Sequence, residues 1–498
     1  MVMRIGGLAS GINTDEIISK LMQAERAPLD RMEQDRTLLE WKRDGFREIY
    51  QKLYDMDHNL MLDMKKKSTY TSKSVSSSNE AAVTATANSN AQNGAYTIKV
   101  GSLATSAINV GGSLDDLGAD FDPNKTLSEQ GINPGTISFK TFDKATNAMK
   151  QHDIVVEADD SLNDVLKKIT DGDNNARAFL DQTSNKVIIE STRTGNYNTA
   201  GYEIDFSGDT FFTDTLNLTQ SNETNGTDAT FTYNGVEFTS KNNSYTLNGV
   251  TFEFKNVTGD QNVSLTVDNN VDAAFDSIMN FVDKYNEIVE MVTTSQQEDK
   301  YYDYKPLTEE QKEGMEEKEI ELWEEKAKSG ILRGETILTS GLFDMRQSWY
   351  SNVDTGGEIT NLTQVGIKTS ANYMNGGKLE VDEEKLKDAL RDNPEDVYKL
   401  FSNSTTDPND PSRGLINRLE DSVESTMKSL EERAGNSTST LENYTLGKRI
   451  KDLNTRISDF EDRLLTVENR YWSQFNAMEQ AISRLNNQST QLLSQFGG

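Results

Sequence analysis

Apolar residues recur with coiled-coil spacing at both ends of this chain. Near the front, one series repeats at intervals of seven residues: Met32, Leu39, Phe46, Leu53 and Leu60. Near the back, a second series alternates steps of three and four residues: Ile450, Leu453, Ile457, Phe460, Leu464, Val467 and Tyr471. Each series places an apolar stripe along a long helix. Because such a stripe is unstable in water, we expect the termini to pair with each other or with copies of themselves, as a rod below a globular head.

The second apolar series changes its spacing near the end of the chain. A four-residue step replaces the expected three as the series continues through Phe475, Met478, Ile482 and Leu485. Such a stutter locally relaxes a left-handed supercoil. The last apolar residues, Leu492, Leu493 and Phe496, stand beside polar residues, which suits a helix that lacks a partner. Seven-residue spacing is more common in packing within one chain, so internal packing and assembly both remain open.

The first helix is predicted to begin at Asn13. Its side chain can accept hydrogen bonds from the first turn, and Glu16 can reach back to it, as in a capping box. The apolar stripe that follows is Ile17, Ile18, Leu21 and Met22. Pro28 should interrupt this helix, because an interior proline lacks a backbone donor and clashes with the preceding turn. A second helix is expected to start there and to run to about Lys67.

The middle of the chain has the period-two alternation of β strands. The clearest signals are Asn234-Gly235 and Asn248-Gly249, each between two alternating runs. This chemistry predicts two consecutive hairpins with type I′ turns. Residues 179–181 and 186–190 predict another hairpin, and one helix over residues 161–169 interrupts the strands.

Helical patterns return after this β region. A helical stripe is formed by Phe275, Ile278, Met279, Val282, Tyr285, Ile288 and Val289. Residues 298–326 carry 12 acidic and 5 basic side chains, which predicts a solvated helix held by ion pairs. Residues 382–401 are predicted to be helical, with a new start or a kink at Pro394, and residues 407–412 predict a loop.

The charge and composition argue against several classes of protein. The 51 basic and 81 acidic residues leave a net charge of −30, which repels phosphate backbones and makes nucleic acid an unexpected partner. The absence of cysteine removes disulfides and thiolate chemistry. The chain starts without the apolar core of a secretory signal, and no later stretch resembles a membrane span. We therefore expect a soluble chain that is not membrane-inserted and would need another route for export.

Nothing in the sequence points to an active site, so we predict no enzyme activity, no catalytic residue, no metal site and no cofactor. The histidines, His58 and His152, are predicted at the surface, on a helix and in a loop, without the spacing of a metal pair or a triad. Residues 171–175 imitate the start of a calcium loop, but Ala176 and Gln182 replace the required glycine and glutamate.

Several motifs follow one another in an order typical of one family. They are residues 7–18 (GLASGINTDEII), 25–29 (ERAPL), 276–286 (DSIMNFVDKYN), 330–335 (GILRGE), 365–367 (VGI), 377–382 (GKLEVD) and 393–397 (NPEDV). With them the chain resembles the bacterial flagellar filament-capping family, also called hook-associated protein 2. The resemblance covers nearly the whole chain and is weakest over residues 110–225.

The resemblance implies a multidomain α+β fold, with the terminal helices paired as a coiled-coil leg, a helical domain, and two β-rich head domains, one inserted in the other. The implied segments, in chain order, are an N-terminal leg segment (1–40), the helical domain's first part (41–70), the inner β head's first part (71–112), the inserted outer β head (113–225), the inner β head's second part (226–270), the helical domain's second part (271–435) and the C-terminal leg (436–498).

The resemblance also implies a function and partners. The protein would be a structural cap at the distal tip of the filament that retains exported flagellin and promotes its folding and polymerisation. Implied partners are copies of itself in a pentameric ring, flagellin, hook–filament junction proteins, and a cytoplasmic export chaperone that binds the C-terminal segment. It would leave the cell through the flagellar type III apparatus, without a cleaved signal peptide, and work outside at the filament tip.

The residues expected to contact the filament or other subunits are apolar positions of the two terminal segments: Leu8, Ile12, Ile17, Leu21, Ile457, Phe460, Leu464, Tyr471, Phe475, Ile482, Leu485, Leu492 and Phe496. The competing interpretation is a surface adhesin whose β head binds mucin or host glycans. The two roles can coexist, and a flagellin-polymerisation assay compared with a glycan-binding assay separates them.

Overall fold

The computed structural model describes residues 13–118 and 120–496, without the side chains of residues 373 and 494–496. It forms two compact units. The helical unit contains the described residues up to 70 and from 271 onward, and the β unit contains residues 71–270. The predicted α+β class is confirmed. Each helix in the described ranges is too short or too polar to traverse a lipid bilayer.

The helices have the following bounds: α1 (Thr14–Asp55), α2 (Leu62–Met64), α3 (Lys67–Thr71), α4 (Leu162–Asp171), α5 (Val271–Gln297), α6 (Glu309–Lys312), α7 (Glu317–Lys328), α8 (Thr336–Ser348), α9 (Glu383–Asp392), α10 (Pro394–Ser402), α11 (Leu415–Ala434) and α12 (Thr445–Phe496). The strands have the following bounds: β1 (Lys73–Ser77), β2 (Val83–Ala87), β3 (Gly94–Ser102), β4 (Ser106–Ser113), β5 (Thr136–Asp143), β6 (Ala148–Val155), β7 (Ala176–Asp181), β8 (Lys186–Thr194), β9 (Ile204–Asp205), β10 (Glu223–Thr224), β11 (Ala229–Tyr233), β12 (Val236–Ser240), β13 (Ser244–Leu247), β14 (Val250–Phe254), β15 (Val263–Asn269), β16 (Ile367–Thr369) and β17 (Leu379–Val381).

Helix α1 begins as predicted, with Asn13 as its N-cap. The Glu16 backbone N–H donates to the Asn13 side-chain oxygen at 3.3 Å, and the Asn13 side-chain amide donates to the Glu16 carboxylate at 3.3 Å. The predicted interruption at Pro28 is wrong, because α1 continues through it. Pro28 and Ala24 lie on the exposed side of the helix, where water can bond the Ala24 carbonyl that the proline leaves without its donor. The next residue, Leu29, is buried, and its packing stabilises the helix just beyond the proline.

A π-helical turn follows α1, over Met56–Met61. The sequence pattern did not predict it, because seven-residue spacing continues from Leu53 to Leu60 regardless of the hydrogen-bond pattern. The wider turn buries Met56, Asp57 and Met61 while His58 stays exposed. Such turns inside helices often occur at functional sites.

The core of the helical unit collects apolar faces from α1, α5 and α8–α11. Its largest fully buried side chains are Phe46, Ile49, Leu53, Tyr70, Phe281, Tyr285 and Phe401. The predicted stripe on α5 packs into this core, with Met279 at its edge. Pro394 starts α10 directly after α9, as predicted, since a first-turn proline costs no helical hydrogen bond.

The acidic segment 298–326 is not one solvated helix, which corrects the sequence-based expectation. It comprises an irregular stretch followed by the short helix α6 and most of α7. Tyr304 packs against Trp323 with ring centroids 4.6 Å apart, and the Trp323 indole N–H donates to the Lys305 carbonyl at 2.8 Å. The segment therefore folds back on itself around one aromatic pair, a contact that charge patterning does not reveal.

The β unit has two separate apolar cores. One lies between the sheet β1-β15-β3-β11-β12 and the sheet β13-β14-β2. The other is enclosed by the sheets β10-β4-β8-β7 and β6-β5-β9 together with α4. The seven-segment division remains a proposal, which the two cores support. Because β4 pairs with β8, we propose that the outer β head begins before β4 and not at residue 113.

The predicted hairpins are present, and their turns have the expected backbone. β11 pairs with β12 and β13 with β14, each antiparallel. Asn234 and Gly235 have φ of 48° and 85°, and Asn248 and Gly249 have φ of 49° and 82°. Positive φ at both central positions is the mark of a type I′ turn. The hairpin of β7 and β8 is also confirmed.

The position of His152 differs from the prediction. It was predicted in a loop, but it lies half-buried in β6, with its Nε2 2.9 Å from the Thr141 hydroxyl oxygen. Its neighbours in sequence are too polar to reveal the strand.

In the segment 171–175, the Asn174 side chain donates to the Ile169 carbonyl at 2.7 Å and accepts from the Ala176 N–H at 2.9 Å. Asn174 therefore fastens the end of α4 to the start of β7.

Glu223 is expected to make the stability of the β unit depend on pH. Its carboxylate accepts from the backbone N–H groups of Glu203 and Ile204 at 2.7 and 3.2 Å, yet burial raises its pKa to about 7. The unfolded value is about 4.3. The folded state therefore binds the proton more tightly than the unfolded state does, so protonated Glu223 stabilises the β unit at low pH. This stabilisation is lost as the pH rises from about 4.3 to 7. Partial exposure limits the loss to about 1–2 kcal/mol.

Glu223→Gln should flatten this pH dependence. The measurement is hydrogen exchange of residues 71–270 in the full chain at several pH values, corrected for the intrinsic rate. The tryptophans all lie in the helical unit, so their fluorescence does not report on Glu223. Glu237→Gln, at an exposed carboxylate of the same unit, is the control. An unchanged slope in Glu223→Gln would contradict the assignment.

Candidate assembly surface on the terminal helices

The two terminal helices, α1 and α12, pack against each other in antiparallel directions. The buried residues Leu29, Ile457 and Leu464 form a small apolar cluster, with Met22, Met32 and Phe460 at its edge. Tyr471 donates from its hydroxyl to the Glu25 carboxylate at 2.9 Å. Nearer the helical core, Leu39 and Leu453 line one shared cleft. The expected pairing of the terminal segments is therefore present within a single chain.

The front series does not form one continuous seam against α12. Met32 packs at the edge of the α1–α12 cluster. Phe46 and Leu53, one and two heptads beyond Leu39, are fully buried in the core of the helical unit instead. Helix α1 thus uses one seven-residue repeat for two partners in succession. Spacing alone cannot distinguish these partners, because it records that a face is covered but not what covers it.

The back series is more buried at its start than toward the end of α12. Ile457 and Leu464 are buried, whereas Phe460, Tyr471, Phe475 and Ile482 are half-buried. Leu485, Leu492 and Leu493 are 62%, 55% and 71% exposed. The helix has 52 residues, roughly 78 Å at 1.5 Å per residue. Its last turns therefore carry leucines that the described residues leave open to solvent.

The predicted stripe at the start of α1 divides between two faces. Ile18 is buried, and Met22, one helical turn later on the same face of α1, packs at the edge of the cluster. Ile17 and Leu21 are exposed at 36% and 38%. The sequence grouped all four because adjacent helical positions fall within the same broad apolar arc. Leu8, Ile12 and the side chain of Phe496 lie outside the described residues.

On the terminal helices, two stretches carry exposed apolar side chains: Ile17 and Leu21 at the start of α1, and Leu485, Leu492 and Leu493 at the end of α12. We call these five residues the leg surface. Leu465, at 57% exposure, is a further outward leucine on α12. Clustered apolar exposure of this kind marks surfaces that bind other proteins.

Charged groups connect the middle of α1 to the acidic segment. The Arg26 Nε lies 3.5 Å from a Glu310 carboxylate oxygen. Burial raises the pKa of Asp30, an effect that Arg26 opposes and Glu310 reinforces. Burial also raises the pKa of Glu33, while Arg36 opposes that rise. These carboxylates sit where helices pack together, so removing them from water is the main cost they carry.

Two family models match this sequence. The model described as Flagellar hook-associated protein 2 N-terminus matches residues 10–107, and the one described as Flagellar hook-associated protein 2 C-terminus matches residues 226–487. The flagellar hook-associated protein 2 of Halalkalibacterium halodurans is 37% identical, and the alignment covers 99% of this chain and 100% of that protein. The A-type flagellar hook-associated protein 2 of Pseudomonas aeruginosa is 28% identical, with 99% and 98% covered.

A solved structure has a similar fold. The crystal structure of the D1-D2-D3 domains of the flagellar cap protein FliD from Escherichia coli matches with a TM-score of 0.57 at 18% identity. The match covers 82% of this chain and 99% of that one. At this identity the likeness concerns the fold alone.

Proposed function

The chain belongs to the flagellar hook-associated protein 2 family, whose members cap the filament tip and promote flagellin assembly, and we propose that its leg surface makes the contact with the filament. As a member of this family, the protein is a structural component of the flagellum. The observation that carries the proposal is the fall in burial along α12, from buried Leu464 to exposed Leu493.

The packing of α1 against α12 supports a role of the leg surface in binding the filament. Among the described residues, the buried apolar packing between α1 and α12 centres on the small cluster around Leu29, Ile457 and Leu464. Beyond Tyr471, helix α12 continues with leucines that are more than half exposed, each of which would gain roughly 1–2 kcal/mol on full burial. A partner that covers these leucines recovers that free energy. The shallow, spaced contacts would keep the attachment exchangeable while flagellin is inserted beneath the cap.

Cap proteins of this family oligomerise and interact with flagellin at the filament tip. The finer statements are proposals: a pentameric ring, contacts with hook–filament junction proteins, and a cytoplasmic chaperone that binds the C-terminal segment before export. The exposed end of α12 supports the last of these, because an apolar helix end needs cover in the cytoplasm. Export through the flagellar type III apparatus without a cleaved signal peptide is likewise proposed, and the absence of cysteine is compatible with it.

The test of the proposed function is filament growth with a shortened leg. A chain lacking residues 440–498 is a poor choice, because Tyr444 and Leu446 are buried in the core of the helical unit. A chain ending after residue 473 keeps that core and the Leu29 cluster but loses the exposed end of α12. We expect the full chain to support flagellin polymerisation in vitro and in a cap-deficient strain, and the shortened chain to fail in both.

Continued capping by the shortened chain would overturn the proposal that the leg surface binds the filament.

The adhesin alternative stays a prediction and is tested with the same two proteins. If the β unit binds mucin glycans, the full and shortened chains should bind them equally, since the deletion lies outside residues 71–270.

A further inference from the structure

Three carboxylates converge where the π-helical turn meets α11. Asp57 belongs to the turn, and Glu420 and Glu424 lie one helical turn apart on α11. One carboxylate oxygen from each lies within 4.8 Å of the others. Asp57 is far from the two glutamates in the sequence, so only the packing of the helical unit brings it to them.

Asp57 is an unusual member of this group because it is buried. Its side chain is 8% exposed, and its Oδ1 has no hydrogen-bond partner among the described residues. Its Oδ2 lies 3.0 Å from the Nδ1 of His58, which is exposed and stacks on Tyr54. A buried carboxylate oxygen without a donor is costly unless a cation or a proton satisfies it.

The positive charge present does not balance the three carboxylates. Lys65 forms an ion pair with Glu420. A second basic neighbour, His58, carries positive charge only when it is protonated. Burial raises the pKa of Asp57, and Glu420 adds to the rise. Burial also raises the pKa of Glu424, with contributions from Glu420 and Asp57. Burial is thus the main cause of both pKa shifts, and the neighbouring carboxylates add to it.

We propose that Asp57, Glu420 and Glu424 form a binding site for a divalent cation of the calcium class. Ca²⁺ takes carboxylate oxygens at 2.3–2.6 Å, so two of its ligands can be up to about 5 Å apart. The observed spacing falls inside this limit. Mg²⁺ demands near-ideal octahedral geometry at 2.0–2.1 Å and gives up its water ligands reluctantly, so three carboxylates from two packed segments suit the more flexible coordination of Ca²⁺. Glu424 is exposed, which gives the ion and its remaining water ligands a path to solvent.

A bound cation would join the π-helical turn to α11 and hold Asp57 in its buried position. Its expected affinity is modest, with a Kd on the order of 10⁻⁴ to 10⁻³ M, because one ligand is already engaged by Lys65 and the site has no dedicated loop. The site is separate from residues 171–175, whose sequence only imitates a calcium loop.

The experiment is isothermal titration calorimetry of CaCl₂ into the purified full chain, with the thermal unfolding midpoint as a second readout. We expect saturable binding and a rise of the midpoint, with MgCl₂ weaker. Glu424→Gln, at an exposed position that should not disturb folding, is expected to weaken Ca²⁺ binding about 10-fold or more. Asp57→Asn should abolish binding and should raise the unfolding midpoint in EDTA, because it removes a buried charge whose Oδ1 has no hydrogen-bond donor among the described residues.

The control is Glu317→Gln with Glu319→Gln, two exposed carboxylates on α7 outside the cluster. The chain carries a net charge of −30, so nonspecific screening by Ca²⁺ is compared with NaCl at equal ionic strength. Loss of the Ca²⁺ response in Asp57→Asn but not in the control supports the site. No saturable binding at about 10 mM Ca²⁺, an equal loss in the control, or tighter binding of Mg²⁺ would overturn it.

Discussion

Leu464→Ala will separate the terminal helices, whereas Leu465→Ala will leave them paired. The two leucines are neighbours on α12, but Leu464 is 7% exposed and Leu465 is 57% exposed. Truncating the buried side chain removes its contacts with Leu29 and Ile457 and should cost about 2–3 kcal/mol. The cluster has three buried members, so such a loss is large relative to the free energy with which α1 and α12 pack together.

Hydrogen exchange of the full chain measures this effect directly. In Leu464→Ala, amides of α1 near Leu29 and of α12 near Ile457 should exchange faster by about 10-fold or more, since each 1.4 kcal/mol corresponds to a factor of ten. Amides of α5 and α11, in the core of the helical unit, should be unchanged. Equal exchange in the Leu464 and Leu465 variants would contradict the assigned seam.

Substituting Leu485, Leu492 and Leu493 together by serine is expected to stop filament growth while the monomer stays folded. These three side chains are exposed, so their loss removes little buried area from the chain itself. If a partner covers them, the substitution removes about 1–2 kcal/mol of binding free energy per leucine, because each side chain is already partly covered within the chain. The sum corresponds to a fall in affinity of at least about a hundred-fold.

The measurements are swimming motility and filament length in a cap-deficient strain, with circular dichroism to confirm that α12 is retained. Leu322→Ser is the matched control, since Leu322 is an exposed leucine on α7, at 53%. Normal filaments with the triple variant would show that the end of α12 has no role in attachment. Loss of the helix itself would be visible in the same samples.

Much of the local structure could be predicted from short stretches of sequence. The Asn-Gly turns at 234–235 and 248–249, the N-cap at Asn13, and the break at Pro394 each depend on a few neighbouring residues. In these cases the chemistry that selects the conformation is contained in the segment: positive φ, a side-chain acceptor, or a missing backbone donor. Such signals need no knowledge of what lies elsewhere in the fold.

Other expectations failed where a distant contact decided the outcome. Pro28 did not end α1, because that side of the helix faces water and the adjacent Leu29 is buried against α12. The acidic segment did not form one helix, because Trp323 packs against Tyr304. The front apolar series did not serve one partner, since Phe46 and Leu53 enter the core of the helical unit.

The sequence by itself determined the turns, the caps and the existence of two apolar terminal helices, together with the family to which the motifs belong. Only the tertiary structure decided which face of each helix is covered, and it placed Asp57 beside Glu420 and Glu424. The physical reason is range. Backbone preferences act over a few residues, whereas burial of a side chain depends on surfaces contributed by segments hundreds of positions away.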